Sequence, residues 1–152
     1  RSPSRGLGDV YKRQAEVFRE LGRERALVVH GAGTDEIATH GTTQAWELRN
    51  GDIITYQLTP EELGIERHEL AELAGGDGAA NALALRAVFA GRGKPAHVDA
   101  IAATAGAMFY LNGTTRSIAA GVSHAKDLIN SGAVEKWLHI HESANYAVGE
   151  KN

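Results

Sequence analysis

The fold is decided around the stretch Ala26-Leu27-Val28-Val29-His30-Gly31-Ala32-Gly33-Thr34-Asp35-Glu36. Its first four residues form a short continuous apolar run, and the glycines that follow predict a turn. A helical pattern precedes the run, with Val17 and Leu21 at helical spacing and Gly22 where a helix would end. An apolar run between a helix and a glycine turn is typical of a strand buried on both faces, which predicts a parallel or mixed sheet.

A β-hairpin is predicted directly downstream. Two β-prone runs, Thr42–Leu48 and Asp52–Leu58, flank Asn50-Gly51. This dipeptide favours a tight turn because both turn residues need a positive φ. The following Thr59-Pro60-Glu61-Glu62 supplies an N-cap, a proline at N1 and a glutamate at N3. These residues predict a short helical turn that ends near Gly64.

The second half of the chain is dominated by helical patterns. Apolar residues at helical spacing, with N-caps at Asp77 and Ser117, predict four helices over approximately residues 78–90, 96–111, 117–131 and 134–144. The chain is therefore α/β, with a short mixed sheet and a hairpin followed by about four helices. No internal repeat and no domain linker interrupts this order.

Asp35 and Glu36 are the candidate metal ligands. They follow the apolar run on a turn with little side-chain bulk, and in open α/β sheets ligands bind outside the carboxyl ends of strands. Mg²⁺ takes one or two carboxylates together with phosphates and water. The pair therefore suits a site for Mg²⁺ and a phosphate group. The pattern alone also fits a solvated loop or a helix cap, because acidic pairs are common in turns.

Two other patterns are weaker candidates. Gly75-Gly76-Asp77-Gly78 could cradle an anion at a helix N-terminus, but Asp77 would repel it and neither a Walker lysine nor GxGxxG is present. A helix start is the favoured interpretation. His139-Ile140-His141-Glu142 suggests a metal, but residues two apart do not share a helix face and HExxH is absent. His30 is interpreted as a structural histidine after the strand.

The composition is that of an ordinary globular domain. The chain has 152 residues, of which 43% are hydrophobic and 23% charged, and a net charge of -3, so one domain is expected. It contains no cysteine, which excludes disulfides, cysteine nucleophiles and cysteine-ligated metals and fits a cytoplasmic protein. No apolar run approaches the roughly 20 residues of a membrane span, so no membrane partner is expected.

Residues 1–25 differ from the rest in charge. They carry seven basic and four acidic side chains, whereas the remaining residues carry nine basic and fifteen acidic ones. A basic arm can contact nucleic acid, but such binding is not expected because the basic residues of the acidic body are scattered. Within this segment Arg1–Gln14 lacks periodicity and predicts a disordered leader. It also reads like translated adapter or vector sequence.

The order of these segments resembles the C-terminal part of the anthranilate phosphoribosyltransferase family. The resemblance covers residues 15 to about 138 and implies a partial α/β domain of the phosphoribosyltransferase and nucleoside-phosphorylase kind. The expected boundaries are a leader at 1–14, the domain at 15–146 and a tail at 147–152. The matching stretches are Glu20-Leu21-Gly22, Arg25–Gly31, Gly33–Glu36, Glu47–Gly51, Tyr56–Gly64, Leu73–Asp77, Asn81-Ala82 and Ser131-Gly132-Ala133.

Members of this family transfer the phosphoribosyl group of phosphoribosyl pyrophosphate to anthranilate in tryptophan biosynthesis, release pyrophosphate and use Mg²⁺. The resemblance implies that Asp35 and Glu36 are the family's acidic pair, which holds Mg²⁺ against the pyrophosphate. The family's glycine-rich phosphate loop, its anthranilate-contacting arginine and most of the helical domain that forms the homodimer have no counterpart in this sequence. We therefore expect part of a cytoplasmic pentosyltransferase that holds no catalytic residue and is inactive by itself.

Two alternatives stay open from the sequence. A nucleoside phosphorylase-like enzyme, or a family member with another acceptor, would keep the fold, because the resemblance places acceptor choice in the absent part. A nucleic-acid-binding paralogue without enzymatic activity would need a basic face on the folded body. In either case an incomplete sheet leaves an unpaired strand edge and exposed apolar faces. We expect the isolated chain to associate or to pack loosely.

Overall fold

The structure, a computed structural model, describes residues 5–149. Every helix in this range is too short or too polar to span a lipid bilayer. Two short 3-10 turns, Glu61–Leu63 and Leu70–Leu73, connect the sheet to the later helices. The helices and strands follow in the order α1 (Arg5–Glu20), β1 (Arg25–Gly31), β2 (Thr43–Arg49), β3 (Asp52–Leu58), α2 (Gly78–Phe89), α3 (Pro95–Leu111), α4 (Ile118–Asn130) and α5 (Ala133–Gly149).

The three strands form one sheet in the order β1-β2-β3. β2 and β3 form the predicted hairpin, and its turn residues Asn50 and Gly51 have φ of 54° and 84°. Both values lie in the left-handed region that a two-residue hairpin turn requires. In the central strand Trp46 lies between Val28 of β1 and Thr55 of β3. The small sheet followed by helices confirms the predicted α/β class.

The direction of β1 corrects the expectation of a parallel or mixed sheet. β1 pairs antiparallel with β2, and within residues 5–149 the sheet is antiparallel throughout. Only residues 32–42 separate the two strands, whereas a parallel crossover needs a dozen or more residues and usually a helix. The apolar run arises because both faces of β1 are covered. Val28 packs against α1, and Leu27 and Val29 pack toward α3 and α4.

The four predicted helices of the second half are confirmed. α2, α3 and α4 begin and end within one residue of the predicted bounds, and α5 extends five residues further. The backbone N–H of Ala80 donates to Asp77 Oδ1 at 2.8 Å, and that of Ala120 donates to Ser117 Oγ at 3.1 Å. Both predicted N-caps therefore satisfy an otherwise unpaired donor in the first helical turn.

Helix α1 corrects the expected disorder of residues 5–14. Tyr11 stacks on Trp46 with ring centroids 5.2 Å apart, and Ala15 is fully buried beside Val28. The apolar residues of this segment are sparse, but Tyr11 and Ala15 lie four positions apart on one helix face and pack against Val28 and Trp46 of the sheet. Residues 1–4 of the predicted leader and 150–152 of the predicted tail lie outside the described range. The foreign origin of the leader stays a prediction.

The main core lies between the sheet and the α3–α4 pair. α3 and α4 approach each other at Gly106 and Gly121, where a Cβ on Gly121 would lie 2.2 Å from the Gly106 carbonyl oxygen. Strand β1 contributes Leu27 and Val29 to this core. The same packing therefore fixes the carboxyl end of β1 against α3, and this is where the acidic pair follows.

Candidate functional site

A tight turn carries the chain from β1 to the acidic pair. Gly31 and Thr34 exchange two backbone hydrogen bonds, of 2.9 and 2.7 Å, and the Thr34 hydroxyl donates to the Gly31 carbonyl oxygen at 2.8 Å. Ala32 and Gly33 at the tip have φ of 43° and 94°. These dihedrals are those of a two-residue hairpin turn. The turn therefore fixes where the chain leaves the sheet.

Close backbone contacts anchor both sides of this turn. A Cβ on Gly31 would lie 2.2 Å from the Glu36 carbonyl oxygen and 2.7 Å from the Ala38 nitrogen, so only glycine fits there. The backbone N–H of Ala38 donates to the buried Thr43 hydroxyl at 2.8 Å. The backbone around the pair is held from both ends, while the two carboxylate side chains remain exposed.

The acidic pair opens onto a cavity beside α3. Asp35 and Glu36 line a space of about 240 Å³ together with Val29 of β1 and with Thr104 and Met108 of α3. The remaining walls are mostly apolar. Two carboxylates at one end of an apolar cleft can attract a cation and position a ligand that binds to it.

Tyr11 of α1 reaches this site from the other side of the sheet edge. Its hydroxyl lies 3.4 Å from Asp35 Oδ1 and 2.9 Å from His30 Nδ1. Burial of the Tyr11 hydroxyl, and then the charge of Asp35, raise the pKa of Tyr11. His30 is thus held by a hydrogen bond and a ring contact, as its interpretation as a structural histidine requires.

The donor set fits a metal only in part. Within residues 5–149 no group of three or more His, Cys, Asp or Glu side chains could hold a metal ion. Asp35 and Glu36 are the hard oxygen donors that Mg²⁺ prefers, and Mg²⁺ commonly takes its other ligands from phosphates and water. The pair therefore fits the protein side of a Mg²⁺–phosphate site and would need ligands from elsewhere to complete it.

The two weaker sequence patterns are structural. Asp77 caps α2 through its bond to the Ala80 N–H, which confirms the helix-start interpretation. His141 stacks on Trp137 with centroids 3.9 Å apart, and Glu142 pairs with Arg86 across to α2. His141 and Glu142 thus each contact another side chain of the fold.

Sequence reasoning missed a buried carboxylate on β2. Glu47 is 1% exposed and accepts hydrogen bonds from the hydroxyls of Tyr56 at 2.9 Å and Tyr110 at 2.8 Å. The guanidinium of Arg25 donates to it at 3.4 Å. Burial, followed by the bond to Glu47, raises the pKa of Tyr56. A signal existed, because Glu47 lies between the apolar residues Trp46 and Leu48 on a predicted strand. Its partners Arg25 and Tyr110, however, lie far away in sequence.

A second missed cluster ties α3 to α4 and to the loop after the hairpin. Asp99 is buried, with His68 Nε2 at 2.8 Å and Lys126 Nζ at 2.7 Å from its two carboxylate oxygens. These three side chains come from three separate segments, and no local spacing connects them. The cluster packs the chain together and lies outside the cavity at Asp35.

Known proteins are similar to this one in sequence over most of the chain. The family model described as "Glycosyl transferase family, a/b domain" matches residues 8–135. The chain belongs to this glycosyl transferase family. An anthranilate phosphoribosyltransferase from Corynebacterium aurimucosum is 71% identical over 137 residues, which is 90% of this chain and 40% of that protein. The enzyme of the same name from Shewanella baltica is 49% identical over 118 residues, 78% of this chain and 33% of its own length.

Solved structures of the glycosyl transferase family agree with the fold. Anthranilate phosphoribosyltransferase from Thermus thermophilus superposes with a TM-score of 0.78 at 38% identity, over 86% of this chain and 38% of that one. The enzyme from Saccharomyces cerevisiae, solved in complex with PRPP (phosphoribosyl pyrophosphate) and Mg, gives a TM-score of 0.75 at 25% identity over the same shares. The resemblance to anthranilate phosphoribosyltransferases is confirmed. The chain spans about two fifths of the length of these relatives.

Proposed function

We propose that this chain is part of an anthranilate phosphoribosyltransferase and that Asp35 and Glu36 bind Mg²⁺ beside the pyrophosphate of phosphoribosyl pyrophosphate. The observation that carries the proposal is the exposed acidic pair on a rigid turn at the end of β1, in a chain so similar to these enzymes. The yeast relative solved with PRPP and Mg supports the choice of metal and substrate.

The two carboxylates act by position and charge. Mg²⁺ bound there would neutralise negative charge on the pyrophosphate as the bond at the ribose carbon breaks. The chain's own contribution is to place the carboxylates beside the apolar wall that Val29 and Met108 form in the same cavity. Gly31 fixes the turn, so the carboxylates need no large rearrangement to meet a ligand.

A chimeric enzyme tests the role of the pair. Residues 15–146 would replace the matching segment of the Corynebacterium aurimucosum enzyme, which is 71% identical over its match, and we expect this chimera to be active. Asp35→Asn and Glu36→Gln should each lower its kcat/KM by about two orders of magnitude, as expected when charge stabilisation is removed. The measurement is the rate of anthranilate consumption over a Mg²⁺ titration.

Matched controls separate this effect from the general effect of removing one negative charge from the surface. Asp127→Asn on α4 and Glu66→Gln in the loop after the hairpin change exposed carboxylates outside the cavity at Asp35. Their rates should stay within about twofold of the parent chimera. Near-normal rates in the Asp35 and Glu36 variants would show that the pair is only a surface loop.

The isolated chain should not turn over its substrates. It spans about two fifths of its relatives, and one acidic wall cannot position a highly charged substrate for reaction. The assay combines the purified chain with anthranilate, phosphoribosyl pyrophosphate and Mg²⁺. Phosphoribosylation above the enzyme-free rate would contradict this part of the proposal.

The proposal includes a cytoplasmic location and a homodimeric assembly of the whole enzyme. A cytoplasmic location is supported by the likeness to bacterial biosynthetic enzymes and is tested by cell fractionation. Homodimerisation, through segments that the relatives have in addition, is tested by sedimentation of the active chimera. A strictly monomeric active chimera would overturn the dimer.

A further inference from the structure

A cleft with a basic rim lies between α2 and the loop that leads into α3. Its volume is about 370 Å³. The floor is the alanine face of α2, one rim is the Gly75-Gly76 backbone, and the other rim carries Arg92, Lys94 and His97. We call this space the basic cleft. It is separate from the cavity that Asp35 and Glu36 line.

The charge of the rim is not compensated locally. Among the described residues that line the basic cleft there is no carboxylate, and Arg92 and Lys94 make no ion pair within residues 5–149. Arg67 and Lys126, by contrast, each pair with a carboxylate. Uncompensated cations that converge on a concave surface attract an anion.

The opposite rim is rigid and small. Asn81 clamps the peptide of Gly76, accepting from its N–H at 2.8 Å and donating to its carbonyl oxygen at 3.1 Å. A Cβ on Gly75 would lie 2.7 Å from Asn81 Oδ1, so a side chain there would disturb the clamp. The carboxylate of Asp77 is bonded to the N–H of Ala80 and does not line the cleft. The site depends on the basic side chains and not on the helix amides.

We propose that the basic cleft binds a small phosphate-bearing ligand. The Arg92 guanidinium offers two parallel donors to phosphate oxygens, and the Lys94 ammonium adds a point charge. The shallow alanine floor leaves room for a flat or compact organic group. His97 and Met108 are eleven positions apart on α3, which places the cleft roughly 16 Å along the helix from the acidic pair. This ligand would therefore be additional to the substrate of the proposed function.

The test is a titration of the chain with inorganic phosphate, pyrophosphate and ribose 5-phosphate in the presence of a chelator. Without divalent metal the carboxylates of Asp35 and Glu36 repel these anions. The result at the basic cleft is therefore independent of whether Asp35 and Glu36 bind a metal. We expect saturable binding with a Kd of roughly millimolar or tighter. Calorimetry and changes in amide chemical shifts measure this binding. Ribose 5-phosphate should bind more tightly than inorganic phosphate because its sugar would contact the alanine floor.

Charge variants localise the binding. Arg92→Gln and Lys94→Gln should each weaken the affinity by about fivefold or more, since each removes a charge-assisted bond. The controls Arg23→Gln and Lys136→Gln remove exposed charges elsewhere and should change the affinity by less than about twofold. Circular dichroism checks that all four variants keep their helix content.

Four results would overturn the proposal. The first is the absence of saturable binding up to about 10 mM pyrophosphate. The second is an equal loss in the control variants, which would indicate general surface electrostatics. The third is ribose 5-phosphate binding no tighter than inorganic phosphate, which would remove the organic part of the ligand. The fourth is tighter binding of a single-stranded oligonucleotide whose affinity is unchanged in the Arg92 and Lys94 variants.

Discussion

At the scale of single residues, Glu47 shows how this small fold tolerates a buried charge. An isolated carboxylate in a core is very costly, and it persists only when charged and hydrogen-bonding partners surround it. Tyr56, Tyr110 and Arg25 supply those partners from three different elements. The guanidinium of Arg25 also lies 4.5 Å from the ring centroid of Tyr110. The network therefore ties the sheet to the end of α3.

Tyr56→Phe should lower the free energy of unfolding by about 2 kcal/mol, because it removes a hydrogen bond to a buried carboxylate. Urea denaturation at one protein concentration measures the change. Thr55→Val removes a hydroxyl from the neighbouring exposed position of β3 and is the matched control. It should cost less than about 0.5 kcal/mol. Equal losses of unfolding free energy in the two variants would mean that the hydrogen bond to Glu47 does not stabilise the fold.

The same tyrosine predicts a pH dependence. Because the folded-state pKa of Tyr56 is raised, the unfolded chain loses this proton first, from about pH 10 upward. The stability of the folded chain should therefore fall above that pH, by at most about 1.4 kcal/mol per pH unit from this group. Tyr56→Phe removes this contribution. The difference in the free energy of unfolding between parent and variant should therefore narrow between about pH 9 and 11, the range around the ordinary pKa of tyrosine. A constant gap would contradict the raised pKa.

At the scale of elements, the packing of α3 against α4 depends on glycine and alanine residues at the contact. Gly106 and Gly121 let the two backbones touch, and Ala102, Ala103 and Ala125 continue the small-residue contact. Larger residues would force the helices apart and separate the core from β1. Close packing of this kind has no room for an added methyl group.

Gly121→Ala should destabilise the chain by about 2 kcal/mol or more, because its Cβ would lie 2.2 Å from the Gly106 carbonyl oxygen. The gain in helix propensity, up to about 1 kcal/mol, offsets only part of this cost. Gly78→Ala on α2 is the control, since nothing lies within 4 Å of its Cβ position. The control should be neutral or slightly stabilising in the same denaturation experiment. A neutral Gly121→Ala would show that the helices can separate freely.

At the scale of the whole molecule, β1 and β3 are the outer strands of the described sheet. Unpaired strand edges and exposed apolar side chains favour association between chains. Exposed apolar side chains occur on several surfaces. They include Leu83 of α2, Met108 of α3, and Trp137 and Ile140 of α5. A chain that spans two fifths of its relatives thus presents surfaces that a longer protein could cover.

We predict that the isolated chain self-associates as its concentration rises. Sedimentation velocity over a concentration series measures this, and Met108→Lys should reduce the association because it places a charge in an exposed apolar patch. Ser123→Lys on α4 is the matched control, because Ser123 is exposed, polar and outside the cavity that Met108 lines. A monomer at every concentration, with sharp and dispersed amide resonances, would contradict this prediction.

Local sequence was enough to predict the elements that depend on near neighbours. Asn50-Gly51 made the hairpin turn, Asp77 and Ser117 began their helices, and the glycine turn placed Asp35 after β1, because each of these features is encoded within a few residues. Other features arose from contacts in the folded chain: the antiparallel direction of β1, the helix over residues 5–14, the burial of Glu47 and the convergence of Arg92, Lys94 and His97 on one cleft. These features depend on contacts between segments far apart in the chain, and local spacing holds no information about such contacts.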